Sequence, residues 1–338
     1  MRLQIDVLMW RGAIPESRHR IQAAVTDPLG QLAAATEQPD LPTTFRSAAK
    51  PFQLLPLVER GHADHWRLSD EELAVMTASH TGSPAHLERV RGILGRLGLT
   101  ERHLACGYHE PIDAASLAHL RAHPEDRSPV YNNCSGKHAG MLCLALSEGW
   151  PVEGYERPEH PVQQLMRRTV AEVCGVSPES LAVAVDGCGV SVFGLPLTGM
   201  ARAYAWLSAA TPDGDPRARA LSRIRGAMCA FPRATGGEGR FSTLLMEATG
   251  GRVVAKGGAE GLECVGIPSR RLGVAIKCED GQSRGLAPAT VAVLERLGEL
   301  RDEERVRLEG PRRPVIRNHA GLEVGALEAV VKVLTPAA

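Results

Sequence analysis

Patterns typical of strands lie at the two ends of the chain, and patterns typical of helices lie between them. Leu3–Met9 and Ile21–Glu37 predict N-terminal strands, the second divided into a hairpin by the turn Asp27-Pro28-Leu29-Gly30. This order predicts an α+β fold in which terminal strands form one sheet. We expect a single domain over 1–338, with roughly 45–235 mostly helical. The later predicted strands are Leu181–Asp186, Arg252–Lys256, Leu262–Gly266, Leu272–Cys278 and one near Leu322–Leu334.

The predicted helices begin at capping residues or at prolines. Ser69-Asp70-Glu71-Glu72 is a capping box that predicts a helix to about Met76. The charged stretch Glu299–Arg313 is instead expected to be a surface loop. The other predicted helices are one opened by Ser83-Pro84, His138–Ser147, one from His160-Pro161 to Cys174-Gly175, Pro216–Ala230 and Pro288–Leu300.

The composition narrows the classes of partner. Lys plus Arg and Asp plus Glu are 39 each, and no basic run is interleaved with aromatic residues. We therefore expect no nucleic-acid partner and a small-molecule substrate instead. No apolar run reaches the roughly 18 residues that span a bilayer, so no membrane partner is expected. The start lacks a signal-peptide pattern, which predicts a cytoplasmic protein whose eight cysteines are reduced.

Lysine is scarce in this chain. Of the 39 basic residues, five are lysine and the rest arginine. Arginine cannot lose its proton in a protein, whereas a desolvated lysine can. Lys50, Lys137 and Lys256 lie in motifs that suggest a reaction, although scattered lysines are also what a biased composition leaves behind.

Ser47 and Lys50 form an S-x-x-K pair. Serine needs a base against its hydroxyl to become a nucleophile, and a spacing of three residues puts both on one face of a helical turn. Because Pro51 follows, that turn is either the first of a helix or the lead-in to one. Pro56 is expected to kink the helix or end it early.

The order of three motifs adds weight to this pair. Ser79 follows a predicted helix, and Lys256 opens Lys256-Gly257-Gly258 after a predicted strand. The order resembles the S-x-x-K, S-x-N and K-T-G set of serine β-lactamases and penicillin-binding proteins. The alternative is that Ser79 merely precedes a helix and that Lys256-Gly257-Gly258 is a turn.

Two turn segments suggest a metal site. Cys134-x-x-Lys137-His138 precedes a helix, and Cys188 follows a strand. Two thiolates and one nitrogen suit zinc with water in the fourth position, and the nitrogen is either His138 or a neutral Lys137. The spacing is no standard zinc signature, so buried free cysteines are the alternative.

Five segments together resemble the rhizobial-type L-asparaginase family, also called asparaginase II, in order along nearly the whole chain. This family is similar in fold to serine β-lactamases and glutaminases. The string Asn132-Asn133-Cys134-Ser135-Gly136-Lys137-His138 is the most specific of the segments. The others are Ser47-Ala48-Ala49-Lys50-Pro51-Phe52-Gln53, Ala78-Ser79-His80, Asp186-Gly187-Cys188-Gly189-Val190 and Lys256-Gly257-Gly258-Ala259-Glu260-Gly261.

The resemblance implies hydrolysis of L-asparagine to L-aspartate and ammonia, and it suggests a homodimer. By motif, Ser47 is the nucleophile with Lys50 as its base, and Ser79 pairs with Lys256. The same motifs imply zinc as a cofactor that orients the substrate. Its ligands would be Cys134, Lys137 and Cys188, with His138 behind them or as an alternative ligand.

Substrate-binding roles follow from charge and position. Arg46 or His80 would bind the α-carboxylate of asparagine, and Asp186 or Glu260 its α-ammonium group. Asn133 and Gly258 belong to the same motifs, and backbone N–H groups near Ser47 and along Lys256-Gly257-Gly258 would stabilise an oxyanion. Surface salt bridges are the alternative for Arg46 and Glu260.

The sequence departs from the family pattern at two positions. Ser191 stands where proline is frequent, and Ser242 stands where aspartate is frequent. Neither position is expected to belong to the catalytic machinery.

Three other functions stay open at this point. A β-lactamase or peptidase would use the same serine and lysine on another amide. A zinc-dependent hydrolase would carry its nucleophile on the metal. A zinc-stabilised binding module would have no turnover.

Overall fold

The computed structural model describes residues 1–334. Its strands are β1 Arg2–Arg11, β2 Ile14–Thr26, β3 Leu32–Ala35, β4 Pro42–Thr44, β5 Ala182–Val185, β6 Ser191–Pro196, β7 Val254–Gly258, β8 Leu262–Ile267, β9 Leu272–Cys278, β10 Val315–Arg317 and β11 Glu323–Leu334. Its helices are α1 Lys50–Glu59, α2 His62–His65, α3 Asp70–Met76, α4 Pro84–Arg96, α5 Ala114–Ala122, α6 Ser135–Ser147, α7 Pro161–Cys174, α8 Leu197–Ala209, α9 Pro216–Ala230, α10 Pro232–Thr235, α11 Phe241–Ala248, α12 Leu286–Arg296, α13 Asp302–Arg307 and α14 Glu309–Arg312.

The main sheet joins both ends of the chain. Its order is β10-β11-β1-β3-β2-β9-β8-β7, with β1 also paired to β2. All pairs are antiparallel except β1 with β3. The predicted α+β class and the sheet built from terminal strands are therefore confirmed.

Most predicted elements are present, and the errors lie where sequence patterns are short. The capping box of Ser69 forms with both hydrogen bonds, and α9 has the predicted bounds. The prediction of a loop over Glu299–Arg313 is wrong, because α13 and α14 lie there. A second sheet, β4-β6-β5, interrupts the region that was expected to be mostly helical. The sequence analysis had not identified β4, β6, α8, α10 or α11.

Helix α8 packs across the main sheet and ties it to the helical region. It crosses β9 so closely that a Cβ atom on Gly273 would lie 1.9 Å from the backbone oxygen of Ala201. Only glycine allows this approach. The buried apolar residues of the sheet and of the helices form one connected core.

The helical region has a similar close contact. A Cβ atom on Gly136, in the first turn of α6, would lie 2.2 Å from the backbone oxygen of Val75 in α3. Helices α3 and α6 therefore approach backbone to backbone. This contact brings the loop after α3, with Ser79, beside the start of α6. Within residues 1–334, no helix is both long and apolar enough to cross a membrane.

Candidate active site

Ser47 lies in a 3₁₀ turn over Arg46–Ala49 that leads directly into α1. Arg46 has a φ of 44°, a left-handed value that is strained for a residue with a side chain. Tyr204 of α8 holds the turn by donating a hydrogen bond of 2.9 Å to the backbone oxygen of Ala48. Pro56 does not end the helix, because α1 continues to Glu59.

Ser79 lies between two buried amines. Its Oγ is 3.0 Å from Nζ of Lys50 and 2.9 Å from Nζ of Lys256. Lys50 also donates to the backbone oxygen of Ala78, and Lys256 to that of Gly257 at 2.9 Å. The acceptors of the Lys256 amine are thus hydroxyl and carbonyl oxygens, which carry no full charge, whereas the Lys50 amine is also hydrogen-bonded to Cys134.

Burial lowers the pKa of both amines. Lys50 is 1% exposed, and desolvation lowers the pKa of its amine, while the nearby Cys134 thiolate acts in the opposite direction. Desolvation and then the positive charge of Lys50 hold the pKa of Lys256 well below the ordinary lysine value. Either amine is therefore a better proton acceptor near neutral pH than a surface lysine is.

Ser47 faces the same cleft as Ser79 and Lys256. Its hydroxyl makes no hydrogen bond within residues 1–334, so the expected contact with Lys50 is not formed here. The cleft has a volume of about 490 Å³, which is ample for one amino acid. The predicted site residues that line it are Ser47, Ser79, Asn133, Lys256, Gly258 and Glu260.

Arg46 and Asp186 form an ion pair with each other beside the predicted nucleophile. Their ion pair, 2.9 Å long, lies beside Ser47 and Lys50. Since both side chains are mostly buried, the pair is better shielded from water than the surface salt bridge that was the alternative for Arg46. Each charge is partly compensated by the other before any substrate binds.

His80 does not reach the cleft. Its Nε2 lies 2.8 Å from the hydroxyl of Ser135, and its Nδ1 accepts the N–H of Gly82 at 3.1 Å. Because the Ser135 hydroxyl donates to the backbone oxygen of Val130, His80 must be the donor of the Nε2 hydrogen bond. Burial keeps the pKa of His80 well below the ordinary histidine value. The prediction that His80 can bind a substrate carboxylate is therefore not supported by its contacts.

The predicted metal ligands lie together on the other side of Lys50. Nζ of Lys137 is 2.9 Å from Sγ of Cys188, and the Cys188 thiol is hydrogen-bonded to Cys134. This hydrogen bond, helped by the positive charges of Lys50 and Lys137, holds the pKa of Cys134 well below that of a free thiol. Burial acts to lower the pKa of Lys137, but the two sulfur atoms outweigh it and raise that pKa.

This donor set fits zinc chemically. Two sulfur atoms and one nitrogen converge, and Cys134 already has thiolate character. Zinc binding would have to displace the protons of Cys188 and of the Lys137 ammonium group. His138 lies in the same helix turn and donates or accepts at Nδ1 with the Tyr155 hydroxyl, 2.6 Å away. Its Nε2 is buried without a hydrogen-bond partner among residues 1–334, but it does not form a three-ligand group with Cys134 and Cys188.

Arg240, Ser242 and Glu263 line the cleft and were not among the predicted site residues. Arg240 precedes α11 and Ser242 lies in it, and this helix was not predicted. Glu263 lies in β8, which was predicted as a strand without a role in the site. Ser242, which was expected to lie outside the catalytic machinery, accepts the N–H of Gly257 at 3.0 Å and so lies beside the predicted Lys256-Gly257-Gly258 motif.

The sequence pattern of the L-asparaginase II family matches residues 7–329. Membership in this family supports the class of amidohydrolases that act on a small molecule. With nearly all of its length matched, the chain belongs to the L-asparaginase II family. Among curated proteins, none matches the sequence significantly.

Solved structures show looser likenesses. Mglu in its native form is 16% identical with a TM-score of 0.45, covering 84% of this chain and 66% of that one. Mglu in its glutamate form is 16% identical with a TM-score of 0.46, covering 85% and 62%. A β-lactamase from Mycobacterium bovis is 15% identical with a TM-score of 0.42, covering 82% and 94%. The chain thus spans about two thirds of the length of Mglu, and the overlaps are too loose for comparison residue by residue.

Proposed function

We propose that the protein hydrolyses the side-chain amide of L-asparagine to give L-aspartate and ammonia. The observation that carries this proposal is the position of Ser79 between the amines of Lys50 and Lys256, in the cleft that Ser47 also lines. A chain of hydroxyls and depressed-pKa amines is suited to moving protons around an acyl-transfer reaction. Membership in the L-asparaginase II family supports the choice of asparagine.

Acylation begins when the Ser47 hydroxyl attacks the amide carbon of the substrate. Neutral Lys50 takes the hydroxyl proton, which requires its amine to turn from Ser79 toward Ser47. The C–N bond then breaks as Ser79 gives a proton to the departing nitrogen, so that ammonia leaves. Lys50 or Lys256 returns a proton to Ser79, and a β-aspartyl ester remains on Ser47.

Deacylation reverses the proton path. Water attacks the ester carbon and gives a proton to the neutral amine of Lys50 or Lys256. The bond to Ser47 then breaks as that ammonium group returns the proton to the Ser47 oxygen, and aspartate is released. The oxyanion needs N–H donors in both steps. The N–H of Gly257 is bonded to Ser242, so the donors in this proposal are the N–H of Ser47 and the next N–H on the open edge of β7, that of Ala259.

The charged groups of asparagine need partners of opposite sign. Arg240 lines the cleft and makes no ion pair within residues 1–334, so we assign it the α-carboxylate in place of His80. Glu260, on the same cleft, and Asp186, beside Ser47, are the candidates for the α-ammonium group. A carboxylate in front of Arg240 would form charge-assisted hydrogen bonds.

We include zinc in this proposal as a cofactor that would orient the substrate. Cys134, Lys137 and Cys188 would hold it, with His138 behind them. When bound, zinc would supply a positive charge that orients a polar substrate group. The chain itself contributes the thiolate character of Cys134, which is hydrogen-bonded to Lys50.

The test is the release of ammonia from L-asparagine by zinc-loaded protein, with L-glutamine and the β-lactam nitrocefin in parallel. We expect turnover of asparagine well above that of the other two. Faster turnover of nitrocefin would make the protein a β-lactamase instead, and no turnover by folded, zinc-loaded protein would refute the proposal. The cytoplasmic location and the homodimer stay predictions. The molar mass measured by light scattering after gel filtration would check the homodimer.

A further inference from the structure

Glu263 is a buried carboxyl group in the wall of the cleft that the proposed mechanism does not use. It lies in β8 directly opposite Gly257 of β7 and is 3% exposed. A Cβ atom on Gly257 would lie 3.0 Å from Oε2 of Glu263, so the carboxyl group is packed against the backbone of Gly257. A carboxyl group in this position needs a hydrogen-bonding partner to be tolerated.

Ser242 supplies that partner and spans the gap between the two strands. Its hydroxyl donates to Oε1 of Glu263 at 2.8 Å and accepts the N–H of Gly257 at 3.0 Å. The next carbonyl, that of Gly257, accepts from Nζ of Lys256 at 2.9 Å. Glu263, Ser242, the Gly257 backbone, Lys256 and Ser79 therefore form one continuous chain of hydrogen bonds.

The charges around this chain are few. Lys50 and Arg240 repel a proton on Lys256, while Glu263 and the Cys134 thiolate attract one. Glu263 itself is attracted to Lys256 and Arg240. The titratable Tyr204 and Cys264, whose pKa values are raised mainly by burial, complete the surroundings of the carboxyl group. Glu263 is thus a carboxylate whose negative charge raises the pKa of Lys256.

We propose that Ser242 and Glu263 form a positioning pair that fixes the edge of β7 and sets the charge of Lys256. This inference rests on the proposed function, because it concerns the amine that serves Ser79. An ionised Glu263 favours the ammonium form of Lys256, and a protonated Glu263 favours the free amine. The protonation state of Glu263 therefore adjusts the pH at which Lys256 can accept a proton, on top of the effects of burial and of Lys50.

The pKa of Glu263 supports this role. Burial raises it to about 7, against the hydrogen bond from Ser242 and the charges of Lys256 and Arg240. The carboxyl group and the amine interact, so their protons come off in steps that belong to the pair. Glu263→Gln keeps the shape and accepts the Ser242 hydrogen bond but carries no charge. Removing the negative charge must lower the pKa of Lys256.

The small number of lysines allows a direct test. Protein labelled with ¹³C at the lysine ε-carbons gives at most five signals, and Lys256→Arg assigns one of them. We expect Glu263→Gln to move the titration of the Lys256 signal to lower pH by about one unit. The acid limb of kcat/KM for asparagine should move in the same direction. Glu238→Gln, which removes an exposed carboxylate near Ser242 in sequence, is the matched control and should move neither.

The outcomes separate this inference from the proposed function. An unchanged Lys256 titration in folded Glu263→Gln protein overturns the inference, whatever the activity. A shifted titration in a protein without amidase activity supports the inference and refutes the function. Ser242→Ala is the second variant if Glu263→Gln does not fold. It removes the hydrogen bond that lowers the pKa of Glu263, so it should also move the Lys256 titration to lower pH.

Discussion

Lys50 and Lys137 are buried to a similar degree within one cluster, yet the pKa values of their amines are shifted in opposite directions. Lys50 is 1% exposed and Lys137 5% exposed. The pKa of Lys50 is lowered, because burial outweighs the nearby thiolate, whereas two sulfur atoms raise the pKa of Lys137 above the ordinary value. Burial alone therefore does not determine whether a lysine becomes a base.

The partners of each amine account for the difference. Lys50 and Lys256 bond to the Ser79 hydroxyl and to backbone oxygens, which compensate an ammonium charge only weakly. Lys50 is also hydrogen-bonded to Cys134, but burial and the positive charge of Lys137 act against its ammonium form. Lys137 bonds to the Cys188 thiol beside a thiolate. The molecule thus has a side suited to proton transfer and a side suited to holding a cation, and Lys50 lies between them.

The largest expected effect comes from substitutions that prevent proton transfer by Lys50 or Lys256. Lys50→Arg and Lys256→Arg each keep a positive charge but abolish deprotonation. We expect kcat for asparagine to fall by about 10³-fold or more in each variant, in keeping with the loss of a general base and its geometry. Lys332→Arg, at an exposed position in β11, is the matched control. Substantial activity in either variant would remove that lysine from the proposed base roles.

The same side predicts a pH profile. The folded protein must deprotonate its amines to be active, so kcat/KM should rise with pH through an acid limb below the ordinary lysine pKa of 10.5. Activity should be lost as pH falls, because the amines become ammonium groups. A limb at the ordinary lysine value would contradict the lowered pKa values of Lys50 and Lys256.

The next prediction tests whether zinc binding depends on Cys188 or on another cysteine. Cys188→Ser should abolish stoichiometric zinc binding, measured by metal analysis after gel filtration. Among residues 1–334, one other cluster offers three metal-type ligands, His19, Cys278 and Asp280. Cys278→Ser is therefore the matched control and should keep the zinc. If zinc follows Cys278 instead, the metal site is misassigned.

A smaller effect concerns substrate charge. Arg240→Ala removes the unpaired cation of the cleft, and hydrogen bonds to charged groups contribute about 1.5–3 kcal/mol. We expect KM for asparagine to rise about 10–100-fold with a smaller change in kcat. Arg233→Ala, which removes an exposed arginine paired with Glu247, serves as control. An unchanged KM would return the carboxylate to Arg46.

The smallest effect tests how the Ser47 turn is held. Tyr204→Phe leaves the buried backbone oxygen of Ala48 without its 2.9 Å hydrogen bond. The free energy of unfolding should fall by about 1–3 kcal/mol. Tyr108→Phe, at a side chain that is 39% exposed, should leave it nearly unchanged. Equal unfolding curves for the two variants would mean that α8 does not stabilise the turn.

Sequence reasoning identified the parts of the site with strong local signals. The S-x-x-K pair, the scarce lysines and the Asn132–His138 string led to Ser47, Lys50, Cys134 and Lys137, and the structure brings these residues into one cluster. Capping residues and prolines likewise fixed the starts of α3, α4 and α7.

The rest depends on contacts between distant segments. Nothing local to His80 shows that both ring nitrogens are bonded to neighbours, and nothing local to Glu263 shows that it faces Ser242 across a strand. Helix α8 was missed because it is apolar on most sides, as helices packed against a sheet often are. Such features follow from packing, which a single sequence does not reveal.

The most direct test of the account is ammonia release from L-asparagine by Ser47→Ala, measured beside the wild type on zinc-loaded protein. Ser269→Ala, in the turn between β8 and β9 and not among the residues that line the cleft, controls for the loss of a serine hydroxyl. The account predicts a loss of at least about 10³-fold in kcat for Ser47→Ala and wild-type release for the control. Release that survives in Ser47→Ala would contradict the account and place the nucleophile on another serine or on a metal-bound water.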